Sequence, residues 1–125
     1  FNASLVHIIG KRDWNKRGAM VTDRYLKVMH HPTVEEFAKW CSENSVPIIG
    51  IDNVPGSKHL EGSELPESCV LLFGQEGAGM SDEGIAICKV LYAIEQYGST
   101  RSMNASAAGA IAMYHWALQH LPRKV

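Results

Sequence analysis

Short apolar runs alternate with helical patterns along this 125-residue chain. Leu5-Val6-His7-Ile8-Ile9-Gly10 is a β-branched run ended by glycine and predicts a buried strand. Lys11 to Gly18 is polar and basic (Lys11, Arg12, Lys16, Arg17) and predicts a surface loop, whereas Ala19 to Val28 has no decisive period. Thr33-Val34-Glu35-Glu36 has the capping-box spacing, with Pro32 before it. Val34, Phe37, Ala38 and Cys41 then recur at helical spacing, so 34–44 is expected to be an amphipathic helix. Val46 to Ile51 predicts a second strand, with Pro47 at its beginning.

Gly, Pro, Ser and Glu crowd 52–68, which reads as a connecting loop. Cys69-Val70-Leu71-Leu72-Phe73 is continuously apolar, the pattern of a central parallel strand. Ser81 can cap a short helix over 82–88, Val90 to Ile94 is the next strand, and 95–103 is a polar loop. A long helix covers 104–120, with Ala107, Ala108, Ile111, His115 and Leu118 along one face. Its alanine-rich first half allows close backbone approach to a neighbour. Strands alternating with helices predict an α/β fold, a mostly parallel sheet flanked by helices. No repeat, low-complexity tract or domain boundary interrupts it, so 1–125 reads as one domain.

In open parallel sheets, ligands bind beyond the carboxyl ends of the strands. Two loops leave such ends. Gly74-Gln75-Glu76-Gly77-Ala78-Gly79 sets three glycines and a carboxylate directly after a strand. Glycines there either let the backbone approach a ligand or simply make a tight turn. Gly74 to Ser81 also fits the phosphate-loop pattern, except that Met80 stands where a lysine would meet the phosphates, so a nucleotide binder is one alternative. The second loop ends in Gly98-Ser99-Thr100-Arg101-Ser102-Met103-Asn104 and enters the long helix. Ser102 or Asn104 can cap that helix. The same helix N-terminus, with Arg101 beside it, also favours an anion such as an RNA phosphate.

Leu71 to Ser81 resembles the second signature of the SpoU (TrmH-type) RNA 2′-O-ribose methyltransferases of the SPOUT superfamily, and Ile94 to Ala108 resembles the third. They stand in the family's order, each at the end of an expected strand, and the likeness is strongest over 70–115. It implies a C-terminal trefoil knot and S-adenosylmethionine bound in a bent form among the knotted loops, mainly by backbone groups. It also implies methyl transfer to a ribose 2′-hydroxyl of tRNA or rRNA by a homodimer, without a metal. Carried over by position, Leu72 and Gly74 line the adenosine pocket, with Gly77 in the same loop, while Ile94 and Met103 add apolar walls and backbone contacts. Glu76, Ser102 and Asn104 match the family's functionally important side chains, and Arg101 lies beside them.

Two departures qualify the resemblance. The family's first signature, with an Asn and an Arg that helps activate the hydroxyl, would precede Leu5 and is not among these residues. A non-catalytic dimer that binds cofactor and RNA is therefore a second alternative. Glu95 stands where many members have proline, which changes loop rigidity more than chemistry.

Composition narrows the rest. With 12 basic and 13 acidic residues, RNA would have to be held by local patches, not by an overall basic field. Cys41, Cys69 and Cys88 form no C-x-x-C pair, so neither a disulfide framework nor a structural zinc is expected, and a reduced cytoplasmic setting is. No apolar stretch reaches the roughly 20 residues that span a bilayer, and no signal peptide is present. The start at Phe1 suggests a fragment. The adjacent His30 and His31 do not converge easily on one metal, and pairing with His7 or His59 is the lesser reading. His115, Trp40 and Trp116 fall at packing positions, and Trp14, in the basic loop, is the candidate for stacking on an RNA base.

Overall fold

The computed structural model describes residues 5–10, 27–74, 79–95 and 105–122. Strands β1 (Leu5–Ile9) and β2 (Lys27–His31) pair in parallel, Ile9 opposite His31. The Gly10 N–H extends the ladder to the His31 carbonyl at 2.9 Å. β2 falls where the sequence pattern is undecided, and its two histidines disguise it. The basic loop and Trp14 lie outside the described residues.

Helix α1 (Val34–Glu43) starts as its capping signal requires, with Thr33 Oγ1 accepting the Glu36 N–H at 3.1 Å. Its stripe buries Phe37 and Cys41. Strand β3 (Ile48–Ile51) is buried throughout. The long connection after it contains the two-residue strand β4 (Lys58–His59), which its loop-like composition conceals. Strand β5 (Val70–Phe73), helix α2 (Asp82–Ala86), strand β6 (Val90–Ala93) and helix α3 (Ala105–His120) follow.

Four strands form one parallel sheet in the order β4-β6-β3-β5. The expectation that 69–73 is a central strand is corrected. Among the described residues β5 pairs with β3 alone and stands at the sheet's edge, while β3 holds the centre. Continuous apolarity reports two covered faces, not two hydrogen-bonded neighbours. Val70 and Leu72 of β5 pack with Phe37, Cys41 and Ile48 on the α1 face. Leu71 and Phe73 pack with Ile49, Ile51 and Ala112 on the α3 face. The centre is tight, because a Cβ on Gly50 would stand 2.5 Å from Leu91 Cδ2 and 2.7 Å from Cys88 Sγ.

The small residues of α3 do bring it close to the sheet, since a Cβ on Gly109 would touch the Phe73 ring at 3.8 Å and Ala112 is wholly buried. The buried positions are therefore Gly109 and Ala112, with Trp116 half-buried one turn further on. Of the expected face, Ile111 is 41% exposed and Leu118 51%, and Tyr114 between them is 56% exposed. Polar bonds fasten the second half of α3 instead. Gln119 accepts the Leu65 N–H at 2.8 Å and donates to the Ser63 carbonyl at 2.7 Å. The Trp116 indole N–H reaches the carbonyls of Pro66 and Glu67, each at 3.1 Å, and His120 Nε2 lies 2.6 Å from the Leu65 carbonyl.

Candidate functional site at the carboxyl edge of the sheet

Because all four strands run the same way, their carboxyl ends share one edge. Ile51 is level with both Phe73 and Tyr92, so Asp52, Gly74 and Ala93 leave the sheet side by side. The Asp52 N–H donates to the Tyr92 carbonyl at 3.0 Å, which ties the end of β3 to β6.

The first loop leaves at Gly74 and returns at Gly79. A Cβ on Gly74 would overlap the Gly79 carbonyl and the Met80 nitrogen, so the loop opens and closes through a neck with no room for a side chain. Gly79 has φ +74°, a conformation that only glycine adopts readily. The neck is held by a carboxylate: Asp52 Oδ2 accepts the Met80 N–H at 3.0 Å, and Oδ1 accepts the Asn53 N–H at 2.9 Å.

The second loop starts after β6. Its first amide, Glu95 N–H, donates to Glu61 Oε1 at 2.9 Å, and the Glu95 carboxylate lies 3.0 Å from His59 Nδ1 in an exposed pair. Burial pushes the Glu61 carboxyl up. The amide bonds from Glu95 and Glu61 itself, with His59 and His115 nearby, outweigh that and hold it below the ordinary carboxylate range. A second carboxylate thus grips the backbone of the second loop, as Asp52 grips the first.

Of the residues singled out by sequence, Leu72, Gly74 and Ile94 are described. The Leu72 side chain packs on the α1 face and Ile94 on the α3 face, so the two do not meet; they share only the edge on which their backbones end. Glu76, Gly77, Arg101, Ser102, Met103 and Asn104 lie outside the described residues. Ser81, the serine of the phosphate-loop reading, accepts the Gly84 N–H at 3.1 Å and caps the five-residue α2. Sequence reasoning passed over Asp52 and Glu61. Asp52 had a faint signal, a lone acid ending an apolar strand, whereas Glu61 is one of three glutamates in its loop and had none.

Other reactive groups are inert or packed. Burial pushes the thiols of Cys41 and Cys88 up to about 11, so they are not thiolate nucleophiles at neutral pH. Among the described residues no three His, Cys, Asp or Glu side chains converge as metal ligands. His7 Nδ1 lies 2.9 Å from His31 Nε2, between the rings of Phe37 and Trp40. His115 Nε2 is 3.0 Å from the Ser63 carbonyl, a packing role.

The parallel sheet flanked by helices is a fold shared with solved SpoU-type methyltransferases. It superposes on the AdoMet-bound rRNA methyltransferase from Sinorhizobium meliloti with TM-score 0.84 and 22% identity, over 96% of this chain and 48% of that one. The SpoU methyltransferase AviRb from Streptomyces viridochromogenes, in complex with AdoMet, gives 0.83 and 21%, over 94% and 50%. The chain belongs to the SpoU rRNA methylase family, whose profile matches residues 1–114. In sequence it is 26% identical over 110 residues to the tRNA (guanosine(18)-2′-O)-methyltransferase of Saccharomyces cerevisiae, which covers 85% of this chain and 8% of the yeast enzyme. The chain thus spans about half the length of these solved structures and a small part of the yeast protein.

Proposed function

We propose that this chain is the catalytic domain of an S-adenosylmethionine-dependent methyltransferase acting on a ribose 2′-hydroxyl of tRNA or rRNA. Membership of the SpoU family supports the reaction class, and the named activity of the yeast relative supports the ribose oxygen. Two structural neighbours crystallised with AdoMet support the methyl donor. The observation that carries the reading is the neck at Gly74 and Gly79–Met80, set beside the start of the second loop on one sheet edge.

That edge fits a nucleoside cofactor held by backbone. Gly74 keeps the neck free of side chains, Asp52 fixes its closing amide, and the strand ends leading into both loops are apolar. Bound there, S-adenosylmethionine would supply an already activated methyl group. The protein's task is then to align a weak nucleophile with it. The backbones at Leu72, Gly74, Gly77, Ile94 and Met103 hold the donor, and Glu76 shapes the first loop. Arg101, Ser102 and Asn104, where the second loop meets α3, position the target phosphate and ribose and stabilise charge on the attacking oxygen.

The proposal further holds that residues 1–125 form one domain with a C-terminal knot and that the protein works as a cytoplasmic homodimer. The exposed Ile111 and Leu118 on α3 support a dimer contact. Among the described residues no helix is long and apolar enough to cross a membrane.

Calorimetric titration of the full-length protein with S-adenosylhomocysteine tests the cofactor. Saturable heat is expected, and a folded protein giving none would refute the reading. Asn104→Ala tests the second loop: methyl transfer should fall by about 100-fold or more, within the range general acid–base and positioning groups supply. Unchanged transfer would leave Asn104 a plain helix residue.

A further inference from the structure

We infer that Asp52 is a positioning residue for the cofactor loop, holding its neck at Gly74 and Gly79–Met80 closed before any ligand arrives. The inference rests on the function proposed above and adds a residue outside the family's signature segments.

Asp52 sits where three strand ends meet. Its own chain ends β3, its N–H bonds to the Tyr92 carbonyl of β6, and its Oδ2 accepts the Met80 N–H where the loop from β5 closes. The carboxylate cannot swing freely, because Oδ1 is engaged by the next residue's N–H at 2.9 Å. That bond turns Oδ2 towards the neck.

The neck is built to receive it. A Cβ on Gly79 would stand 3.0 Å from Oδ2, so glycine at 79 serves the close approach of the carboxylate as well as the positive φ. At Gly74, no side chain fits between the two ends of the loop. The two glycines bring the ends together but do not lock them, since glycine is the least conformationally restricted residue. Among the described residues, the side-chain bond to the closing amide comes from Asp52. A bond from an amide to a charged acceptor contributes more than a neutral one. Without it, the loop would have to be ordered at the expense of ligand affinity.

The test uses the full-length protein and S-adenosylhomocysteine as the probe. Asp52→Ala should weaken binding on the order of tenfold, the equivalent of one charge-assisted hydrogen bond. Asp52→Asn has one uncharged acceptor oxygen for the two N–H groups of Asn53 and Met80, and should bind between the wild type and Asp52→Ala. Amide exchange at Met80 should speed up in Asp52→Ala and less so in Asp52→Asn, with protection of Ile49 and Ile51 in β3 unchanged in both. If Asp52→Ala does not fold, Asp52→Ser takes its place, being too short to span to Met80. Equal affinity in wild type and the truncated variant overturns the role of Asp52 alone, as does unchanged amide exchange at Met80 in the truncated variant. No binding by the wild type overturns the proposed function and this inference together.

Discussion

The two faces of the sheet are held by different physics. On the α1 face a helix of ordinary amphipathic pattern buries Phe37 and Cys41 against Ile48, and affinity for the sheet comes from apolar area. On the α3 face the helix buries small residues, Gly109 and Ala112, and leaves Ile111, Tyr114 and Leu118 exposed. Its far end is tied by Trp116, Gln119 and His120 to backbone groups of Ser63 to Glu67. The first face is a core that any α/β protein could use. The second is a polar latch that leaves Ile111 and Leu118 exposed.

The sharpest way to break this contrast is to truncate one residue on each face. Phe37→Ala, at a site of zero exposure, should cost about 3–5 kcal/mol in denaturant unfolding. Gly50→Ala should follow at about 1–3 kcal/mol, because Leu91 and Cys88 already occupy the space of a methyl group. On the other face Gln119→Ala should cost only about 1 kcal/mol and should speed amide exchange at Leu65, since it removes a latch bond and not a core contact. A Gln119 variant as damaging as Phe37→Ala would erase the distinction.

Acid sharpens the same comparison. His7 and His31 both titrate below the ordinary histidine value, chiefly because they are buried. Mutual repulsion lowers His7 further; for His31, repulsion from His30 is partly offset by Glu36. The native α1 face therefore keeps them neutral, while the unfolded chain takes up protons near pH 6.5. Their contribution to stability is complete above about that pH and is lost as pH falls from there towards the depressed native values. His31→Phe should flatten the fall in melting temperature between about pH 7 and 5; an unaltered slope would place the acid sensitivity elsewhere.

The smallest effect on folding is expected at Leu118→Lys, which should leave unfolding within about 0.5 kcal/mol, as for most exposed positions. It should nonetheless shift the proposed homodimer to monomer in light scattering. An unshifted dimer would move the subunit contact off this helix face.

The two faces were also unequally legible in the sequence. Thr33, Glu36, Phe37 and Cys41 wrote α1 almost to the residue, because cap and stripe are local signals. The spacing of α3 set Ile111 and Leu118 on one face without saying which face is buried; they face outward, and what fastens the helix is a set of side-chain bonds to backbone some fifty residues earlier. β2 was concealed by Lys27, His30 and His31, whose polarity breaks an apolar run, and β4 by a connector of turn-forming residues. At the carboxyl edge the glycine loop was plain because Gly74 and Gly79 are needed for geometry. Asp52 and Glu61, which hold the two loops, act across 28 and 34 residues of sequence, a separation no local pattern records.

The most direct measurement is methyl transfer from labelled S-adenosylmethionine to total tRNA and rRNA by the full-length protein, followed by digestion and nucleoside mapping. A 2′-O-methylated nucleoside, lost in Asn104→Ala, is the predicted product. Label on a base, or a folded protein that binds the donor and transfers nothing to any RNA, would contradict the account.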